Sequence, residues 1–211
     1  RRVGGVHRTS QLDTFGAVAL VLFALNLGLN QVVIKVTNGG FNPVFLAGLR
    51  SLGAVLVVLV WMYARGLTPR LPRAALAGGI AAGLFFSLEF VCLFIALDLT
   101  TVSRASIMLY SMPVWLSLAA HFLLPGERLS GAHLLGRALA MGGVALALSQ
   151  PGEGGASWTG DLLALMAALC WAGIALCVRI TPLSEVPPAQ QLLMQLVVSA
   201  PVLLLLAPLF G

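Results

Sequence analysis

Seven apolar runs, each about 20 residues long, follow one another along the chain. They cover residues 14–35, 43–64, 74–97, 102–124, 132–150, 159–179 and 189–210. A helix of about 20 apolar residues crosses the roughly 30 Å hydrocarbon core of a bilayer. It satisfies its own backbone hydrogen bonds there, where no water is available to do so. The runs therefore predict an all-α polytopic membrane protein with seven transmembrane helices.

The composition excludes most other classes of protein. Only 9% of the 211 residues are charged and 59% are apolar, whereas a soluble domain is about 25% charged. The net charge is +5, but the basic residues stand singly or in small groups beside the ends of the runs. A nucleic-acid-binding protein would gather them into one patch, so no nucleic-acid partner is expected. The 3 cysteines lack the spacing of a disulfide framework or zinc site, and no metal or other cofactor is expected.

Basic residues also predict the orientation, because Lys and Arg gather on the cytoplasmic side of a membrane. One side holds Arg1, Arg2, Arg8, Arg65, Arg70, Arg73, Arg128 and Arg179. The opposite side holds Lys35 and Arg104. The N-terminus is therefore expected in the cytoplasm, in a multi-pass protein of the cell inner membrane. Because the chain starts with Arg1 rather than methionine, we expect it to be part of a longer protein.

An internal repeat becomes visible when the chain is shifted by 144 residues. The shift aligns Leu27–Lys35 with Trp171–Arg179, and a proline follows each segment at the same distance, Pro43 and Pro187. The first copy has five spans, an odd number, so the second copy is expected to be inverted in the membrane. Inverted repeats are common in secondary transporters, whose substrate site lies between the two copies. The predicted parts are a cytoplasmic tail in 1–13, a first five-helix repeat in 14–150, an external linker in 151–158 and the start of a second repeat in 159–211.

Several short motifs occur in the order of a known transporter family. They are Gly28-x-Asn30 with Lys35, Pro43 through Arg50, Ala96-Leu97 through Pro113-Val114-Trp115, Gly126 through Ser130, and Gly160 through Leu165 followed by Trp171. On these motifs the chain resembles the EamA family of the drug/metabolite transporter superfamily. Leu27 departs from the family, because many members have tryptophan there. The resemblance implies ten spans in two five-helix halves, so three further spans of the second half are expected beyond this sequence.

The repeat and the resemblance together predict a secondary transporter that moves small metabolites, such as amino acids or related compounds, by alternating access. Export is the expected direction. The expected partners are a small-molecule substrate and the lipid bilayer, and a homodimer is left open. No enzyme activity is expected.

Three other classes of membrane protein are alternatives for a chain with seven spans. A seven-helix receptor would not explain the repeat, and Lys35, the chain's only lysine, is not in the last span, where rhodopsins hold retinal. A membrane-embedded enzyme needs paired catalytic groups, but His121 and His133 lie near span ends and His7 lies in the tail. A channel would need a ring of pore-lining residues, and none is evident in the sequence.

Glu89 is the most informative single residue, because it lies inside the third run between Leu88 and Phe90. An ionisable group at that depth costs a few kcal/mol or more unless it faces protein or water, which makes it a functional candidate. We expect it to bind a proton or a substrate ammonium group; the alternative is a structural bond between helices. Arg104 is a further candidate for the pathway and the first candidate for a charged neighbour of Glu89, at a depth difference of about 8 to 10 Å. The arginine could narrow this gap or extend to the outer surface instead, and Asp98 is a competing partner for it.

Other polar and aromatic residues of the runs are candidates for the same pathway. They are Asn26 and Asn30 in the first run, Tyr110 and Ser111 level with Glu89 in the fourth, and Trp171 in the sixth. Pro113 is expected to kink the fourth span, because proline removes a backbone donor. For each of these residues, ordinary packing between helices is the alternative.

Overall fold

The computed structural model describes residues 14–40, 42–70, 72–124 and 157–209, together with parts of 135–146. Regular structure within these ranges is helical. The α-helices are α1 (Thr14–Asn38), α2 (Pro43–Ala64), α3 (Leu76–Leu99), α4 (Val102–Leu109), α5 (Met112–Leu123), α6 (Trp158–Ile180) and α7 (Pro188–Leu206). Short 3-10 turns cover Arg73–Ala75, Pro182–Glu185 and Ala207–Leu209. The described parts of 135–146 are also helical.

Six segments of the described chain are long and apolar enough to cross a membrane. They are Leu20–Thr37, Pro43–Ala64, Arg73–Leu99, Val102–Leu123, Trp158–Ile180 and Pro188–Leu209. Five of them coincide within two residues with a predicted run, and the first begins six residues after its run. The predicted span at 132–150 lies largely outside the described residues. The all-α polytopic fold is confirmed.

Side-chain caps explain where several helices begin. The Asn42 side chain accepts hydrogen bonds from the backbone N–H groups of Val44 and Phe45, at 2.9 and 3.1 Å, and Pro43 occupies the first turn of α2. The Ser157 hydroxyl accepts from the Gly160 N–H at 3.1 Å at the start of α6. Such caps satisfy donors that a helix leaves unpaired at its first turn.

Hydrogen bonds between helix ends define the direction of each helix. Near the end of α1, the Lys35 ammonium donates to the carbonyls of Leu97 and Thr100, at 2.5 and 2.6 Å, so α1 and α3 end together. The Ser157 N–H donates to the Leu99 carbonyl at 3.0 Å, so α6 begins at this same end. We call it the Lys35 end. Helices α1 and α6 therefore run antiparallel, as an inverted repeat requires.

Helices α2 and α7, the second helix of each predicted copy, also run antiparallel. Asn42, at the start of α2, donates through Nδ2 to the carbonyl of Ala207 at 3.2 Å, just after α7. At the opposite end, Gln190 in the first turn of α7 donates to the Thr68 carbonyl at 2.8 Å. We call this the Thr68 end. Since α5 ends at the Thr68 end and α6 begins at the Lys35 end, the predicted fifth span would return the chain between them.

Helix α3 occupies the centre of the bundle and contacts α1, α2, α4, α6 and α7. Glycines allow the closest approaches: a Cβ built at Gly83 would lie 2.5 Å from the Cβ of Val198 on α7. Only Thr100 and Thr101 separate α3 from α4, which is the tight hairpin that the short link predicts. The outer surface is apolar, with Val36 76% and Leu205 78% exposed. Such a surface suits contact with lipid rather than water.

The fourth span is interrupted rather than only kinked. Helix α4 ends at Leu109, α5 begins at Met112, and Pro113 lies in the first turn of α5. Proline has no N–H to donate to the carbonyl four residues earlier, which is that of Leu109. The loss of that bond accounts for the end of α4 at this residue.

Candidate functional site

A cavity of about 210 Å³ lies between the helices near their middle. Both copies of the repeat contribute to its walls. The lining residues are Leu27, Asn30, Gln31, Arg50, Phe86, Glu89, Phe90, Leu93, Leu109, Tyr110, Trp171, Ile174 and Gln195. Glu89 lies ten residues before the end of α3 at Leu99, about 15 Å from the Lys35 end. The cavity is thus near half the depth of a hydrocarbon core of roughly 30 Å.

Glu89 is the one carboxylate among these lining residues. Its exposed fraction is 7%, and no residue in the described part of the chain donates a hydrogen bond to it. Buried polar groups in proteins are nearly always hydrogen-bonded, so this carboxyl needs a proton, a water molecule or a ligand. Its electrostatic neighbours are Arg50 on α2 and the Cys170 thiol on α6.

Arg50 is the second charged residue of the cavity, and the sequence analysis did not single it out. Its guanidinium carbon lies 4.8 Å from the centre of the Phe90 ring, in a cation–π contact. The signal was present, because an arginine seven residues into an apolar run is itself a functional candidate. The sequence analysis assigns Arg50 only to the end of the family-like motif that begins at Pro43.

The buried amide of α1 is Gln31 rather than Asn26. Gln31 is 2% exposed; it donates to the Tyr110 hydroxyl at 3.2 Å and accepts from the Ser106 hydroxyl at 2.5 Å. Asn30 also lines the cavity. Asn26 is exposed on the surface of α1 and, in the described structure, lies outside the cavity lining. The spacing of Asn26 and Asn30 gave a shared face but could not fix how α1 is rotated.

Two aromatic candidates meet across the cavity. The ring centres of Tyr110 and Trp171 lie 6.4 Å apart, and both residues line it. Ser111, the other candidate near Tyr110, is buried at the break in the fourth span. Its hydroxyl donates to the Met108 carbonyl at 2.6 Å and accepts from the Trp115 indole N–H at 2.9 Å. Ser111 therefore satisfies polar groups around the break, which leaves Tyr110 as the cavity residue of this pair.

The direct pairing of Arg104 with Glu89, one of the alternatives that the sequence left open, does not occur in the described structure. Arg104 forms an ion pair with Asp161, and its Nε lies 3.1 and 3.0 Å from the two carboxylate oxygens. Arg104 follows the hairpin directly and Asp161 lies in the first turn of α6, so both are at the Lys35 end. Glu89 is about 8 to 10 Å deeper. The suggested competitor, Asp98, is exposed.

The ion pair belongs to a small polar cluster at the Lys35 end. Asp161 is 1% exposed and also accepts a hydrogen bond from the Thr100 hydroxyl at 2.8 Å. Lys35 binds the Thr100 carbonyl from the other side. We call Lys35, Thr100, Arg104 and Asp161 the clasp. It ties α1, the α3–α4 hairpin and α6 together, and thereby joins the two copies of the repeat.

The fold and the cavity define a class of protein: an all-α, multi-pass membrane protein with a cavity near mid-depth that is lined by charged residues. Residues 14–149 match the model of the EamA-like transporter family. The chain belongs to the EamA-like transporter family, as its motifs predict.

Two relatives and one solved structure extend this comparison. A protein of Escherichia coli K12 named "Probable amino-acid metabolite efflux pump" is 34% identical over 160 residues, which cover 74% of this chain and 50% of that protein. An uncharacterised protein of Pseudomonas aeruginosa is 33% identical over 154 residues, which cover 73% of this chain and 51% of that protein. The chain thus spans about half the length of the curated relatives it matches. A crystal structure, 27% identical, aligns with a TM-score of 0.57 over 87% of this chain and 66% of its own.

Proposed function

We propose that the full-length protein is a secondary transporter that exports small metabolites, such as amino acids or related compounds, across the inner membrane. The observation that carries this proposal is the buried Glu89 carboxyl, which faces the cavity without a hydrogen-bond partner among the described residues. The printed name of the Escherichia coli relative supports both export and the substrate class. Glu89 with Asn30, Tyr110 and Trp171 forms the proposed binding site.

The size and walls of the cavity suit a small metabolite. Its volume of about 210 Å³ is below the roughly 300 to 1,000 Å³ of pockets for drug-sized ligands. Its walls are mostly apolar, with a few polar groups, and such sites use those groups to fix the orientation of a ligand.

Glu89 is also the proposed coupling residue. A carboxyl that exchanges a proton or counter-substrate for the transported molecule links the two movements. The charged or titratable groups near it are Arg50 on α2, Cys170 on α6 and Tyr110 of the fourth span. These groups set the electrostatic environment in which Glu89 gains and loses its proton.

Alternating access requires that each end of the cavity closes in turn. The clasp is the proposed closure at the Lys35 end, because it joins the two predicted copies of the repeat, and its Arg104–Asp161 pair lies about 8 to 10 Å from the depth of Glu89. Opening at that end would separate Arg104 from Asp161, while the binding residues of the cavity stay on their helices.

Metabolite export by cells tests the proposal. Cells expressing the full-length wild type, Glu89→Gln or Glu185→Gln are compared with empty-vector cells by mass spectrometry of medium and cytoplasm. Glu185 is a matched control, because it is an exposed glutamate in the turn after α6. We expect one metabolite class to move to the medium with wild type and Glu185→Gln, but not with Glu89→Gln.

Two results would contradict parts of the proposal. Wild-type cells with the same profile as empty-vector cells would refute the export function. Full transport by Glu89→Gln at saturating substrate, with the pH dependence of the wild type, would refute coupling through Glu89.

A further inference from the structure

Two opposite charges face the same cavity from neighbouring helices. Arg50 on α2 and Glu89 on α3 both line it, and they attract each other electrostatically. In the described structure no nitrogen of Arg50 comes within 4.0 Å of a Glu89 oxygen, so they form no direct ion pair. The cavity therefore holds a guanidinium group and a carboxyl group at separate positions on its wall, and the carboxyl is an anion when it has lost its proton.

We propose that Arg50 and Glu89 recognise the two ends of a zwitterion, with Arg50 binding its carboxylate and Glu89 its ammonium group. This inference rests on the proposed transport function and adds Arg50 as the residue that determines specificity for the carboxylate. Guanidinium suits this role, because its N–H groups form a planar fork that matches a carboxylate. The contact with the Phe90 ring holds that fork at the cavity wall.

The charge balance of the site explains why it would favour a zwitterion over a singly charged solute. The pair of side chains is neutral overall, and a zwitterion matches each charge with an opposite one. An acid alone would leave the buried Glu89 carboxylate without a partner, which is strongly unfavourable. An amine alone would leave Arg50, which is more exposed, without an anion. Sites that bind a polar group of the substrate discriminate strongly against analogues that lack it. Phe86, Tyr110 and Trp171 would then contact the apolar part of the substrate.

Binding to the purified full-length protein tests the assignment. The probes are L-leucine, 3-methylbutylamine and 4-methylpentanoate, which share one side chain and differ in one charged group; the other common L-amino acids are screened beside leucine. Affinity is measured from the ligand-dependent shift of the melting temperature in detergent. We expect the best amino acid to bind wild type at least about tenfold more tightly than either of its singly charged analogues.

Each variant has its own expected signature. Arg50→Gln is expected to lose the preference for the amino acid over the amine while keeping the preference over the acid. Glu89→Gln is expected to lose the preference for the amino acid over the acid while keeping the preference over the amine. Arg65→Gln is the matched control: this arginine caps the C-terminus of α2, the helix that carries Arg50, and lies over the Trp61 ring, but outside the cavity lining. It should keep both wild-type preferences.

Several results would overturn the assignment. Equal affinity for the amino acid and its analogues, an equal loss for all three probes in Arg50→Gln, or no binding by any amino acid would each do so. If Arg50→Gln does not fold, Arg50→Lys is measured in its place. A severalfold fall in its preference for the amino acid over the amine would support the proposal, and unchanged preferences would overturn it. Export of another metabolite class that depends on Glu89 would refute the zwitterion site but not the transport function.

Discussion

Gln31 links the first span to the fourth through a single buried side chain, since it bonds both Tyr110 and Ser106. Replacing it with leucine would remove both bonds and leave the two hydroxyls without this partner. Hydrogen bonds between membrane helices contribute about 1 kcal/mol. We therefore expect Gln31→Leu to lower the free energy of unfolding by about 1 to 2 kcal/mol, measured by SDS titration of the micellar protein.

The control for this prediction is on the same helix. Asn26→Leu changes an exposed amide and should leave the free energy of unfolding nearly unchanged. Tyr110→Phe keeps the ring beside Trp171 but removes the hydroxyl, so the double variant with Gln31→Leu should cost less than the sum of the single changes. Strict additivity would show that the Gln31–Tyr110 bond contributes nothing.

At the level of residues, the sequence predicted how deep a side chain lies in the membrane better than it predicted which residues that side chain contacts. Glu89 could be found because a charge in the middle of an apolar run is unusual. Arg50 is also a charge inside an apolar run, but the sequence analysis assigned it only to the family-like motif that begins at Pro43. The pairing of Arg104 with Asp161 could not be found, because these residues are 57 positions apart and meet only once α6 has packed beside the hairpin.

Between elements, the approach of α3 to α7 depends on Gly83. A methyl group there would lie 2.5 Å from the Cβ of Val198, which cannot move without its helix. We expect Gly83→Ala to separate α3 from α7 and to lower the free energy of unfolding by about 1 to 3 kcal/mol. Gly53→Ala is the control, since nothing lies within 4 Å of a Cβ at Gly53. A Gly83→Ala protein as stable as the wild type would contradict the close contact.

The clasp gives a second prediction at this scale. Arg104→Gln would leave the buried Asp161 carboxylate without its cation, which we expect to cost about 3 kcal/mol of unfolding free energy. The double variant Arg104→Gln with Asp161→Asn should cost less than the sum of the two single changes, because neither charge is left alone. Additive losses in the same SDS titration would show that the two residues do not stabilise each other.

Element bounds were the easiest part to predict, because hydropathy and turn residues mark where a span begins and ends. The second span has the same bounds in sequence and structure, 43–64. The break between Leu109 and Met112 was predicted only as a kink. Its full extent depends on Ser111, whose hydroxyl bonds the Met108 carbonyl, and local bonds of this kind do not appear in a hydropathy pattern.

For the whole molecule, the open prediction is its orientation. Single-cysteine variants of the full-length protein, with all native cysteines replaced, are treated with a membrane-impermeant maleimide. The variants are Gly40→Cys and Thr68→Cys. Residue 40 lies near the Lys35 end, residue 68 lies at the Thr68 end, and both positions are exposed. A cytoplasmic N-terminus predicts labelling of Gly40→Cys in intact cells, and of Thr68→Cys only after permeabilisation. The opposite pattern would reverse the orientation inferred from the arginines.

The sequence predicts the inverted arrangement from the odd number of spans in the first copy. A 144-residue shift and five predicted spans per copy would require it, and the antiparallel courses of α1 and α6 and of α2 and α7 agree with that prediction. What the sequence lacked was the rotation of each helix about its axis. That rotation decides that Gln31 faces the protein interior while Asn26 faces outward, and it depends on packing against the whole bundle.

The clasp would also bias how the molecule divides its time between conformations. If the N-terminus is cytoplasmic, as the arginines predict, the Lys35 end faces outward, and each outward opening through the proposed closure would separate Arg104 from Asp161. Every ~1.4 kcal/mol of that cost makes the open form about tenfold rarer. An external solute then meets few binding-competent molecules, and its apparent affinity falls by the same factor. An exporter built this way would resist re-uptake of its own product, with no change in the binding cavity.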